Sequence, residues 1–311
     1  MSKRDDTDGG FRSRATRAQG RSRQGPPSPK GRHGTSRRSG RQPGTGRRDA
    51  STEDSDSVWL FGIHAVRDAL ANPERRIRRI VLTPNARQRL AEDRGAALLE
   101  PHAERIEIAD PRRFPAPLDP SSVHQGAAIE AEPLSWGGID ALAAGAANDP
   151  APVALALDRV TDPHNVGAIL RSAEVFGAAA VIAPRRHSAP ETGALAKAAS
   201  GALERQPYLR PVNLGDAIQA LTDAGFAAIG LDGEAPVDLD TALVDAADQP
   251  LLLVLGAEGP GLRSRTKSLC TSLARIPASG SFASLNVSNA AAVALYAASI
   301  ARRDCRKTTC D

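Results

Sequence analysis

The sequence predicts an α/β protein: a parallel sheet with helices on both faces, preceded by a small α/β module and a disordered N-terminal arm. Three observations predict it. Across residues 151–303, short apolar runs alternate with helical periods, the pattern of strands joined by crossover helices. Several runs, "VALALD" and "LLLVLG" among them, are apolar at consecutive positions, as strands covered on both faces must be. Residues 1–56, in contrast, are Arg, Ser, Gly, Pro and Gln with almost nothing to bury.

The arm comes first. Residues 1–50 carry 14 Lys and Arg against 4 Asp and Glu, a net of +10, whereas the whole chain is +4, so residues 51–311 are −6. A segment so poor in apolar surface cannot offset the entropy of ordering it. The arginine spacing of "RSRATRAQGRSRQG" suits phosphate neutralisation; a solubilising tail accounts for it equally well.

A small α/β module spans 57–134. "VWLFGIHAVRDALAN" has helical apolar spacing from Val58, and "IRRIVLTP" alternates as a strand. "RQRLAEDRGAALLEPHA" predicts a helix, with "IEIAD" and "HQGAAIEAEP" (124–133) as strands. Residues 135–150, partly helical and closing on Asn, Asp and Pro, read as a linker.

The second unit, 151–303, alternates regularly. "PVALALD" is a buried strand, "NVGAILRSAEVFG" a helix ended by Gly177, and "AAAVIAP" a strand. "GALAKAASGALERQ" is a helix, "PYLRPV" extended, "LGDAIQALTDAG" a helix, and "FAAIGLD" and "PLLLVLG" strands. "SRTKSLCTSL" is a helix, "ARIPA" a short strand, and an Ala-rich helix runs from Ala290; residues 304–311 are a polar tail.

Composition excludes several classes. No run of 18 apolar residues exists, so no membrane span is expected, and the start lacks the apolar stretch of a secretory signal. Three cysteines, Cys270, Cys305 and Cys310, give neither a disulfide framework nor metal-ligand spacing, so the chemistry should be metal-free and the setting a reducing cytoplasm. Aromatics are 3% of the chain, which leaves the core to Ala, Leu, Val and Ile.

Sites in such sheets collect beyond the carboxyl ends of the strands. Three loops there carry unusual chemistry. "LDRVTDPHNVGAILRSAEVFG" runs from a strand through Asp158, Asp162, His164 and Asn165 into a helix bearing Arg171; Asp162 or Asn165 could simply cap that helix. "LLLVLGAEGPGLRSRTKSLC" opens into Gly256–Gly261, whose spacing is wrong for a dinucleotide fingerprint and whose Pro260 removes one amide of any phosphate cradle. Such a loop is either a tight turn with a solvated Glu258 or a close backbone approach to a ligand. "RIPASGSFASLNVSNA" places Ser281, Ser284, Asn286, Ser288 and Asn289 before the last helix, where one cap would suffice.

Together, "LDRVTDPHNVGAILRSAEVFGA", "LVLGAEGPGLR" and "IPASGSFASLNVSNAAAVALY" closely resemble motifs 1, 2 and 3 of the SpoU/TrmH family of RNA ribose 2′-O-methyltransferases, in family order. "FGIHAVRDAL" and "HQGAAIEAEP" are similar to the substrate-binding domain of its ribosomal-RNA branch. The resemblance covers everything but the arm. It implies S-adenosylmethionine as donor, bound in a C-terminal trefoil knot, and a homodimer acting on a guanosine of 23S rRNA. It places donor contacts on Gly256, Ile276 and Leu285, and catalytic roles on Asn165, Arg171, Glu258, Ser284 and Asn286. The family's proposed base falls on Arg171, yet arginine normally stays protonated, so charge stabilisation or a phosphate contact is the other role open to it. Glu258 would orient Arg171 or its own loop. Transfer-RNA ribose methylation and a non-catalytic RNA-binding protein are the competing readings. A dinucleotide-dependent oxidoreductase is disfavoured by the glycine spacing.

Overall fold

The computed structural model describes residues 57–92, 95–118, 122–146, 152–279 and 285–308. The basic arm, 1–56, lies outside them.

Two sheets organise the chain. The first has four strands in the order β1 (Val58–Phe61), β4 (Ala127–Ala131), β2 (Ile77–Leu82) and β3 (Ile106–Ile108), with β2–β3 parallel and the other pairs antiparallel. Helix α1 (Ile63–Ala71) follows β1, and α2 (Pro84–Ala91) and α3 (Ala96–Leu99) lie between β2 and β3. The helix expected from Val58 therefore begins five residues later. Val58 to Phe61 pair with β4 as a strand, with Leu60 turned into the core. Four apolar residues are too short a run for periodicity to separate strand from helix. The single helix expected over 87–103 is likewise broken into α2, α3 and a 3-10 turn at Glu100–Arg105.

The second sheet has seven strands, all parallel, in the order β7 (Tyr208–Leu209), β6 (Ala180–Ile182), β5 (Val153–Asp158), β10 (Leu251–Gly256), β8 (Ala227–Leu231), β11 (Ser272–Arg275) and β9 (Val237–Asp238). The expected parallel sheet covered on both faces is present. Leu155, Leu157, Leu251, Leu253 and Leu255 face one apolar core; Ala154, Ala156, Leu252 and Val254 face the other. Helices α5 (Pro163–Val175), α6 (Gly193–Ala199), α8 (Leu239–Asp245) and α10 (Val287–Thr308) cover the first face. Helices α4 (Ile139–Gly145), α7 (Leu214–Asp223) and α9 (Ser264–Leu269) cover the second.

Five expectations shift. The segment read as a partly helical linker has its helix, α4, but is no loose connection: Ile139 and Leu142 pack on the second core. The helix "GALAKAASGALERQ" ends at Ser200, which takes the left-handed conformation (φ 48), and resumes as a 3-10 turn at Ala202–Glu204. The pair β9 and α8 had no counterpart in the sequence reading; two paired residues leave no periodicity to detect. The last parallel strand is Ser272–Arg275 and not "ARIPA", because Pro277 has no N–H to give a ladder. Finally, α10 starts at Val287 and runs to Thr308, through most of the predicted tail.

One core unites the two sheets: Leu60, Ile63 and Ile129 of the first belong to the same apolar cluster as Leu155, Ile169 and Leu195. At Gly193 the start of α6 lies against β1. A Cβ there would sit 2.1 Å from Phe61 Cδ1, so only glycine permits this approach.

Candidate active site

Of the polar cluster before α10, Asn286 is engaged, while Ser281 lies outside the described residues. Asn286 Oδ1 accepts from the backbone N–H groups of Ser288 at 2.9 Å and Asn289 at 3.4 Å, an N-terminal cap. Its Nδ2 reaches outward, donating to Glu258 Oε1 at 2.5 Å and to Asn165 Oδ1 at 3.0 Å. Asn165 Nδ2 closes the triangle by donating to the same Glu258 oxygen at 3.1 Å, which also accepts the Val287 N–H at 3.4 Å. Three loops, following β5, β10 and β11, thus meet on one carboxylate oxygen. Their residues are far apart in sequence, and the sheet order brings them together: β5 and β10 are neighbours, and Asp158 pairs with Gly256 at their ends.

Local sequence frees these side chains for the meeting. Asp162 caps α5 by accepting the His164 N–H at 2.9 Å, with Pro163 opening the helix where no donor is needed. Asn165, one turn in, is spared that duty. Of the two cap candidates, Asp162 is the one used.

The loop after β10 folds back on itself, with the Gly261 N–H donating to the Ala257 carbonyl at 2.9 Å. A Cβ on Gly256 would lie 2.1 Å from the Gly261 carbonyl carbon and 2.3 Å from the Leu262 nitrogen, so the return path exists only because residue 256 is glycine. The far side of the loop is pinned by Asp158, whose carboxylate is fully buried. It accepts from Thr266 Oγ1 at 2.7 Å, from the Arg263 N–H at 3.2 Å and from Arg263 Nε at 2.8 Å. Asp158, Arg263 and Thr266 escaped the sequence reading as a positioning group. The available sign was a carboxylate closing a fully apolar strand, which cannot be buried unpaired. Nearby, burial, helped by the Asp158 charge, pushes the Cys270 thiol up to about 11, which disfavours its thiolate.

Arg171 is exposed on α5 and, among the described residues, makes no hydrogen bond or ion pair. Glu258 therefore organises the loops and does not hold Arg171. Ile276 follows the end of β11, partly buried against the first core, and Leu285 is 47% exposed beside the Asn286 hub. Ser284 lies outside the described residues. Among the described residues, no group of His, Cys, Asp and Glu could hold a metal ion.

Two family models match the chain: the SpoU rRNA Methylase family over residues 152–296 and RNA 2′-O ribose methyltransferase substrate binding over residues 59–136. A 23S rRNA (guanosine-2′-O-)-methyltransferase RlmB of Ralstonia nicotianae is 40% identical over 245 residues, 78% of this chain and 96% of the relative. The RlmB of Photobacterium profundum is 38% identical over 247 residues, 77% of this chain and 96% of the relative. Among solved structures, an AdoMet-bound rRNA methyltransferase from Sinorhizobium meliloti superposes with a TM-score of 0.62 at 25% identity, covering 80% of this chain and 88% of that one.

Proposed function

The chain belongs to the SpoU rRNA methylase family, and from that premise we propose that it methylates the ribose 2′-oxygen of a guanosine in 23S rRNA with S-adenosylmethionine. The observation that carries this reading is the Asn165–Glu258–Asn286 triangle, which joins the three motif loops at the carboxyl edge of the sheet.

The residues present fit the donor. The Gly256–Gly261 turn leaves open backbone and no cationic side chain, and Arg263 beside it is neutralised by Asp158. A loop whose one charge is Glu258 suits a cationic ligand better than an anionic one. Gly256, Ile276 and Leu285 would hold the donor, two of them as apolar contacts for its bulky parts. Bound there, S-adenosylmethionine supplies an electrophilic methyl group on a positively charged sulfur.

The chain's own task is to prepare the nucleophile. A ribose hydroxyl holds its proton tightly, and negative charge grows on the 2′-oxygen as that proton leaves. Arg171, exposed and without a partner among the described residues, is free to face that charge or the adjacent phosphate; a guanidinium that remains protonated acts by electrostatics. Asn165, Asn286 and Ser284 would orient ribose and loops through neutral hydrogen bonds. Glu258 holds two of them in register.

The family reading extends to the architecture. Residues 57–134 would bind the RNA substrate, 135–150 connect, and 151–303 form the methyltransferase domain, its C-terminal part tied as a trefoil knot. A homodimer is supported by the outward residues Val175, Val293 and Tyr296, 77%, 42% and 55% exposed. The alanines Ala291, Ala294 and Ala298 point inward. No helix among the described residues is long and apolar enough to cross a membrane, which accords with a cytoplasmic enzyme.

The test is methyl transfer by the full chain from labelled S-adenosylmethionine to 23S rRNA and, separately, to transfer RNA, with the modified nucleotide mapped. Label on one guanosine ribose of 23S rRNA is expected. Label on transfer RNA alone, or on a base, would overturn the assignment.

A further inference from the structure

Beyond the reaction loops, the carboxyl edge of the large sheet carries a second polar arrangement. Arg185 follows β6 and Arg210 follows β7, the two strands lying successively outside β5. Each side chain is tied to the other's main chain. Arg185 Nε donates to the Arg210 carbonyl at 3.3 Å, and Arg210 Nη2 donates to the Arg185 carbonyl at 2.7 Å. Arg210 Nη2 also reaches Ser188 Oγ at 3.4 Å, and the Arg185 N–H donates to the Pro211 carbonyl at 2.9 Å. The loops are laced together so that two guanidinium groups share one patch.

That patch is electrostatically incomplete. Among the described residues, neither arginine has a carboxylate partner, although residues 51–311 carry a net −6 and acids are plentiful elsewhere. Arg210 Nε is buried with no hydrogen-bond partner at all. A buried donor without an acceptor is costly, and like charges held close repel. The repulsion vanishes if an anion with several acceptor oxygens binds. The terminal nitrogens of Arg185 and Nη1 of Arg210 are spared for one. A guanidinium fork matches a phosphate in geometry as well as charge.

We propose that Arg185 and Arg210 form a phosphate-binding site for the RNA backbone beside the reacting nucleotide. The proposal rests on the RNA reading above, because the site lies on the same edge as the loops that would hold the ribose. It is separate from the methyl-transfer residues: Arg185 and Arg210 touch none of Asn165, Arg171, Glu258 or Asn286 by hydrogen bond. The site positions the strand and carries no base specificity.

The experiment compares the full chain with the double variants R185Q/R210Q and R185K/R210K. Affinity for a 23S rRNA fragment is measured across a salt series, and S-adenosylmethionine affinity by calorimetry. Loss of one or two phosphate contacts should lower the slope of log affinity against log salt by about 1 to 2 in the Gln variant. Donor affinity and melting temperature should hold, and the Lys variant should recover most of the slope. An unchanged slope in the Gln variant overturns the proposal. A fall in melting temperature that Lys does not repair overturns it too, by showing that the pair is only a staple between loops. RNA binding by the parent chain without methyl transfer would instead count against the assigned reaction and leave this site standing.

Discussion

Arg75 grips Glu204 with two parallel hydrogen bonds, Nε to Oε2 at 2.9 Å and Nη2 to Oε1 at 2.7 Å. The first residue precedes β2 of the small sheet; the second lies in the layer over the large one. Glu191 joins at 2.6 Å through Arg75 Nη1, and Asn72 Nδ2 donates to the Glu204 carboxylate at 3.0 Å. The Arg75 side chain is wholly buried. A hinged pair of modules would not bury charge at its joint, so this contact holds the two sheets in one orientation.

Arg75→Ala should be strongly destabilising. It leaves two buried carboxylates without their cation, a change that costs about 3–5 kcal/mol in comparable settings. Urea unfolding measures this, and a loss below about 1 kcal/mol would show that the cluster does not hold the sheets.

The same cluster sets a pH dependence. Burial, aided by the Glu204 charge, holds the Glu191 carboxyl above its ordinary range against the pull of Arg75. An acid whose folded pKa is raised is favoured in its protonated form. Its contribution to stability is therefore present at low pH and lost as pH rises through the folded value. Glu191→Gln should flatten that decline above the ordinary carboxylate range. A variant that instead loses stability equally at every pH would refute the assignment.

Arg171→Ala should abolish methyl transfer while S-adenosylmethionine binding persists, because Arg171 makes no bond to the described residues of the donor loops. Single-turnover rates settle it. A near-normal rate would exclude both proton removal and charge stabilisation by this residue.

Gly256→Ala should remove donor binding, since its Cβ would fall 2.1 Å from the Gly261 backbone. Asp158→Asn should weaken binding by a smaller factor, through the loosened Arg263 anchor. Calorimetry on both variants, with melting curves beside them, separates loop damage from unfolding; full donor affinity in Gly256→Ala would refute the loop assignment.

Deleting residues 1–56 should weaken RNA binding and flatten its salt dependence, from the +10 carried by residues 1–50. Phe11 is the one aromatic there, too little for base stacking to choose a target. The methylated nucleotide should not change; a moved site would place specificity in the arm.

The sequence by itself determined the parallel sheet, because apolar runs such as "LLLVLG" have nowhere to go but a doubly covered interior. It also singled out Asn165, Glu258 and Asn286, through the resemblance of their three motifs to the SpoU/TrmH family. Tertiary structure alone decided that these three share one oxygen, that Val58–Phe61 is a strand, and that Arg75 meets Glu204 129 residues away. The physical reason is range. Periodicity reports which side of a local element is buried, whereas hydrogen bonds between loops depend on strand order, and strand order is settled only when distant segments compete for the same core.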